Sequence, residues 1–286
     1  MPQNVPIRHI TRTSKASAFP QSFSIRKIEV LLHGQNMVQE LHRHDFFYLL
    51  ALKKGSGHHD IDFVPYAIAD YSVFFIRPGQ VHALVLKSDS MGYLINFSSD
   101  FYNLQDKVAK QLLGKASSTN HYQLDAEENL KFTSLLDYIY REHATKKPNY
   151  ETVILANMSI LFVELIRQNT SDASGNNNLY AQERLEKFLE LLETHIFTHK
   201  QVSQYAKLLN ISTYQLNAIT KTMLGKTSSA LINEQIVLEA KRCLLATTNQ
   251  VNQTAYLLGY EDVSYFIRFF KKHTGFTPEA FRHNFS

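Results

Sequence analysis

The sequence predicts an α+β chain. A small β-barrel with flanking helices comes first, and an all-α domain built on a repeated helix, turn and helix follows. Three observations carry this. The hydrophobic pattern changes period near residue 125. The stretch QNTSDASGNNN at 168–178 has almost nothing to bury and separates two apolar halves. Beyond it, VSQYAKLL at 202–209 returns as VNQTAYLL at 251–258, an offset of 49. The predicted divisions are an arm at 1–20, a barrel with helices at 21–170, a linker at 171–180 and a C-terminal domain at 181–286.

Each element has its own signal. From Ser22 to about Phe101, short aromatic or β-branched runs (FFYLLAL, VFFI, HALVL, GYLINF) alternate with turn signals at 53–57, 77–79 and 87–92. Closely spaced short strands of this kind close into a barrel or sandwich. From Asp125, Leu130, Leu135, Tyr138 and Ile139 recur at helical spacing, as do Ile154, Met158, Leu161, Phe162 and Leu165. They predict helices over about 125–143 and 150–168, parted by KKPN. In the repeat, Ala206 and Ala255 are small residues where two helices cross closely, and Asn210 and Gly259 supply turns that need positive φ. After the turns the offset becomes 50, and Gly225 and Gly275 stand where each second helix should end. Thr277 and Pro278 read as the N-cap and first residue of a last helix. Ser228 to about Thr247 forms one linking helix between the copies.

Composition narrows the function class. At 286 residues and 44% hydrophobic, the chain suits about two domains with real cores. A single cysteine, Cys243, excludes an internal disulfide framework and fits a reducing compartment. The first residues, MPQNVPIRHITRTSK, contain no apolar signal segment, and no run approaches the roughly 20 residues of a membrane span. A cytoplasmic location is expected, with no membrane partner. The net charge of +4 is unevenly placed: from Lys200 to Ser286, ten Lys/Arg face five Asp/Glu. A basic C-terminal part is the electrostatic footprint of a phosphate-bearing partner.

The segment VNQTAYLLGYEDVSYFIRFFKKHTGFTPEAFR at 251–282 resembles the signature of the AraC/XylS family of bacterial transcription regulators. Ala255, Leu258, Gly259, Tyr260, Ser264, Phe266, Arg268, Phe270, Lys271, Lys272, Gly275, Thr277, Pro278 and Arg282 fall in place. Thr254 departs from the Ile usual there. The earlier copy and the linking helix match more loosely. In the N-terminal half, HRHDFFYLLALKKGSG at 42–57 resembles the first motif of a cupin-like sensor domain, and RPGQVH at 77–82 the second. Tyr48 stands where a metal-binding cupin would carry Glu.

The resemblance implies a sequence-specific regulator that binds double-stranded DNA through two helix-turn-helix units. It places base contacts at Tyr214, Asn217 and Ala218 in the first unit and at Val263, Ser264, Ile267 and Arg268 in the second. Asn217 could pair with adenine and Arg268 with guanine. Lys221, Lys226, Lys271 and Lys272 would hold phosphates. A linking helix of about 18 residues spans roughly 27 Å. That length suits two recognition helices in major-groove segments about 34 Å apart. The barrel would bind a small-molecule effector through His44, Tyr48, His82 and Tyr93. The helices at 125–168 would form a homodimer, and RNA polymerase would be a partner if the protein activates. His42, His44 and His82 could ligate a metal if the barrel gathers them. With Tyr48 in place of Glu, no metal or other cofactor is expected, which also weighs against a cupin enzyme fused to a DNA-binding module. A regulator whose barrel only dimerises is a further alternative.

Overall fold

A computed structural model of the protein describes residues 7–8, 22–98, 101–102, 107–170, 179–246 and 249–285. Most of the predicted arm and linker lies outside them. The chain divides into two compact units between residues 173 and 174.

Among the described residues, the N-terminal unit has ten strands. They are β1 (Ile7–Arg8), β2 (Phe23–Lys27), β3 (Met37–His44), β4 (Phe47–Lys54), β5 (Gly57–Ile61), β6 (Val64–Ile68), β7 (Ser72–Ile76), β8 (Val81–Leu86), β9 (Met91–Phe97) and β10 (His121–Gln123). They form two five-stranded sheets, ordered β1-β3-β8-β5-β6 and β10-β7-β4-β9-β2. All neighbours are antiparallel except β1, which runs parallel beside β3. Among the described residues, the helices that accompany the strands are α1 (Ile28–Leu32), α2 (Lys107–Ser117), α3 (Ala126–Thr145) and α4 (Tyr150–Thr170). The two predicted helices thus exist, with ends within two residues of expectation. The short α1 and the whole of α2 were not foreseen.

Successive side chains of a strand point to opposite faces, and the second sheet is covered on both. Tyr48, Leu50, Leu52, Phe74, Ile76 and Leu94 pack with Ile61, Leu84 and Leu86 of the first sheet. Their odd-numbered neighbours Leu49, Ala51, Val73, Phe75, Tyr93 and Ile95 pack instead with Phe132 and Leu136 of α3 and Met158 and Phe162 of α4. Asp125 starts α3 with a reciprocal cap: its carboxylate accepts the Glu128 N–H at 2.8 Å, and the Glu128 side chain accepts the Asp125 N–H at 2.9 Å.

The C-terminal unit is helical: α5 (Leu179–His195), α6 (Val202–Leu208), α7 (Thr213–Leu224), α8 (Ser228–Ala246), α9 (Val251–Leu257), α10 (Val263–Thr274) and α11 (Pro278–Phe285). The pairs α6/α7 and α9/α10 are the predicted copies, and α8 is the predicted linking helix. Helix α5 was missed. The turn residues behave as their chemistry requires, with φ of 54° at Asn210 and 71° at Gly259. One residue further on, the N–H of Ile211 donates to Ala206 O at 3.1 Å and that of Tyr260 to Ala255 O at 2.9 Å. A Cβ at Gly259 would lie 2.5 Å from the Phe197 carbonyl oxygen, so glycine is demanded there by space as well as by φ. Gly225 and Gly275 are left-handed and close α7 and α10.

Candidate functional site

Two surfaces matter, and the first lies on α7 and α10. On α7, Tyr214, Ala218, Lys221 and Thr222 are exposed and follow the i, i+4, i+7, i+8 spacing of one helix face. Tyr214 is 82% exposed. On α10 the corresponding stripe is Ser264, Arg268, Lys271 and Lys272, all exposed. Behind these stripes, Leu216, Phe266 and Phe270 are fully buried and fix each helix to its unit. The helix starts are set locally: Ser212 Oγ accepts the Gln215 N–H at 3.1 Å, and Asp262 Oδ1 accepts the Tyr265 N–H at 3.1 Å. Lys271 and Lys272 sit in the last turn of α10, where a cation is favoured by the helix dipole.

Four expected contacts look different in place. Val263 and Ile267 are half-buried at the margin of the α10 stripe, available to a partner but also part of the packing. Lys226 forms an exposed ion pair with Glu234 at 2.9 Å, a pair weak enough for a phosphate to displace. Asn217 is engaged within the domain. Its Oδ1 accepts the N–H of Ser228 at 2.9 Å, tying α7 to the start of α8. A bidentate pair with adenine needs both ends of the carboxamide, and here one end is engaged inside the domain. Thr222, on the exposed stripe, was not foreseen; its place one turn after Ala218 was the available signal.

The second surface is the space between the two sheets. His42 and His44 come from β3, His82 from β8 and His59 from β5, and all four are buried. His59 Nε2 lies 2.8 Å from His82 Nδ1, and His82 Nε2 lies 2.8 Å from His44 Nε2. His42 Nδ1 donates to Glu40 O at 2.7 Å. Burial, reinforced by neighbouring positive charge, pushes His42 down to about 4 and His44 and His59 to about 3; His82 is also well below its ordinary value. All four rings are neutral at pH 7. Tyr48 stacks on His44 with ring centroids 5.4 Å apart, and burial holds its phenol well above its usual range.

Three of the four expected effector residues, His44, Tyr48 and His82, are therefore together. Tyr93 is not with them. It lies on the opposite face of its sheet, against the helices, where its hydroxyl donates to Asp137. Two interior residues were missed. Asn96 faces Tyr48 across the β4–β9 pairing, with a buried Oδ1 that lacks a partner. His59 shares a strand face with Ile61, and that parity was readable in GHHDI.

The family described as an AraC-like ligand binding domain matches residues 23–146, and a helix-turn-helix domain family matches 205–284. The HTH-type transcriptional activator RhaS of Escherichia fergusonii is 25% identical over 252 residues, covering 84% of this chain and 86% of the relative. The activator RhaR of an Enterobacter species is 22% identical over 255 residues, with 88% and 89% covered. Among solved structures, fatty-acid-bound ToxT of Vibrio cholerae aligns with a TM-score of 0.44 at 16% identity, covering 96% of this chain and 98% of ToxT. No helix among the described residues is long and apolar enough to cross a membrane. The chain thus carries an AraC-like ligand-binding domain in its N-terminal half and a helix-turn-helix domain in its C-terminal half, the arrangement of a DNA-binding transcription regulator.

Proposed function

We propose that α7 and α10 enter successive major grooves of one operator segment, and that a small molecule held between the two sheets biases this binding. The observation that carries the reading is the pair of exposed stripes, in register at an offset of 50 and backed by fully buried aromatic and aliphatic residues. Arg268 and Ser264 read bases, helped by Tyr214, Ala218 and the flanks of Val263 and Ile267. Lys221, Lys271 and Lys272 hold phosphates, joined by Lys226 once it leaves Glu234. Asn217 serves as a brace. The linking helix α8, at 19 residues, is about 28 Å long, a scale that fits adjacent groove segments.

The interior groups His44, Tyr48, His82 and Asn96 are the effector contacts. Helices α3 and α4 form a homodimer, and RNA polymerase is a partner if the output is activation, the role the names of RhaS and RhaR give those relatives. The location is the cytoplasm. The interior is also lined by Phe46, Tyr48 and Phe74, which favours as second reading a regulator that takes no ligand.

One measurement separates the two. Operator affinity of the full chain is read across salt concentrations, with and without each metabolite that raises its melting temperature. Affinity should fall steeply with salt, and the effector should change it several-fold. Operator DNA must then change effector affinity by the same factor. A factor of one for every stabilising metabolite selects the ligand-free reading, and salt-independent binding rejects both.

A further inference from the structure

The two turns of the repeat differ in a way that φ alone does not explain. Asn210 and Gly259 hold the same left-handed conformation, and Asn210 does so with a Cβ. An asparagine would therefore satisfy the φ of the second turn as well. What excludes a side chain at 259 is a neighbour from outside its own unit. A Cβ there would lie 2.5 Å from the Phe197 carbonyl oxygen and 2.6 Å from Lys200 Nζ. The connection 196–200, which leads from α5 into the first unit, is thus pressed against the turn of the second.

This connection is fastened to the first unit. The Tyr205 hydroxyl of α6 donates to His199 O at 2.8 Å. Gln204 Oε1 accepts the N–H groups of Lys200 and Gln201, each at 2.9 Å. Ile196, where the connection begins, is fully buried. The side chain of Lys200 then reaches the second unit. Its Nζ stands over the Tyr260 ring, 5.2 Å from the centroid. That is within the range of a cation–π contact, and such contacts strengthen as the cation loses water. Burial lowers the Lys200 pKa from its ordinary value, which marks this partial loss. Tyr260 is buried in turn against α10, its ring centroid 5.3 Å from that of Phe266 and 5.9 Å from that of Phe269. One line of contacts therefore runs from α6 through 196–200 and Tyr260 to the helix that carries Arg268.

Helix α8 also joins the two units. A second contact between them restricts the bending and twisting that a single linking helix permits. Geometry fixed in advance spares ordering cost when the partner binds. We propose that Lys200 is a positioning residue for DNA recognition: its contact with the Gly259–Tyr260 turn sets the orientation of α10 relative to α7 before DNA is met, and with it the spacing of groove segments that the chain prefers. The inference rests on the reading in which both helices enter DNA. A strut of this kind acts only when both units bind at once, because linked binding gains from a geometry that permits simultaneous engagement.

The test uses the full-length chain and a duplex that the wild type selects from a random-sequence pool. Affinity is measured for that duplex, for versions with either groove segment scrambled, and for a version with one base pair inserted between the segments. The wild type should prefer the intact duplex to all the others. Lys200→Met, which keeps the length of the side chain and removes its charge, should bind the scrambled duplexes as the wild type does. On the intact duplex it should lose about two- to fivefold, the equivalent of one cation–π contact. It should also discriminate less against the inserted base pair. Lys200→Arg should restore affinity and spacing preference together. Gly259→Asn, which suits positive φ but adds the Cβ, should shift the preference the same way and further. An equal loss by Lys200→Met on every duplex is the mark of a phosphate contact or of general destabilisation, and it overturns the proposal. An unchanged spacing preference overturns it too. A wild type that binds intact and scrambled duplexes alike rejects the two-helix reading itself, and the strut with it. Should Gly259→Asn not fold, Lys200→Met and its rescue by arginine decide, since Lys200 is only half-buried.

Discussion

The first and second helix-turn-helix units share their backbone devices and differ in what they mount on them. Asn210 and Gly259 make the same positive-φ turn. Gln204 and Gln253 reach back to cap the N–H groups of Gln201 and Gln250 at 2.9 and 2.8 Å. Thr227 and Thr277 accept the N–H groups of Ala230 and Ala280. The outward stripes diverge: Tyr214, Ala218, Lys221 and Thr222 carry one cation, whereas Ser264, Arg268, Lys271 and Lys272 carry three. A linked pair diverges inside as well. Asn217 caps the Ser228 N–H in the first unit; fifty residues on stand Ile267 and Pro278, and proline has no N–H to cap. The turn is fixed by backbone geometry, while the faces and braces can be exchanged provided that partners change together.

The largest expected effect comes from the charged stripe. Arg268→Ala should cost roughly 1–3 kcal/mol at operator sites and relax preference at one position, while Lys271→Ala should weaken all sequences alike and lower the salt slope by about one. A mismatch panel with both variants checks this, and identical losses across the panel would erase the distinction between reader and clamp. If Tyr214→Ala costs as much specificity as Arg268→Ala, the two units contribute equally and the contrast fails.

Next is the brace. Asn217→Ala leaves the Ser228 N–H without its acceptor and should destabilise the C-terminal unit by about 1 kcal/mol, read by denaturant unfolding, with base preference unchanged. Altered preference at an adenine would restore Asn217 as a reader.

The smallest effects have opposite signs. Tyr205 and Thr254 occupy the same position in the two units and are both fully buried. The Tyr205 hydroxyl donates to His199 O at 2.8 Å, whereas Thr254 Oγ1 has no partner. Tyr205→Phe should lower stability by about 0.5–1 kcal/mol, and Thr254→Val should raise it by a similar amount. Calorimetric melting of both variants tests the pair, and a destabilised Thr254→Val would mean that the hydroxyl is satisfied in solution.

What the sequence disclosed follows from how local each feature is. The turns were legible because Asn210 and Gly259 announce positive φ by residue type alone. The helices at 126–145 and 150–170 were legible from their apolar spacing. The hydrogen bond that engages Asn217 comes from a backbone N–H eleven residues away, which no local pattern reveals. Tyr93 was misplaced because β9 is buried on both faces from Gly92 to Phe97. A strand without apolar–polar alternation does not say which side is which. His59 needed its strand register against β8 before its meeting with His82 could be seen.

The doubly covered sheet also restricts how a gene for this protein can drift. In β4, Tyr48, Leu50 and Leu52 belong to one core while Leu49 and Ala51 belong to the other. Gaining or losing a single codon within that strand would shift the register by one and exchange the two sets. Tyr48 would then be sent toward the helices and Leu49 toward the histidines. Point substitutions can be absorbed there one core at a time, but length changes cannot. Variation in length is therefore expected to collect outside the strand, in connections such as 87–90, where Lys87, Ser88 and Asp89 are exposed.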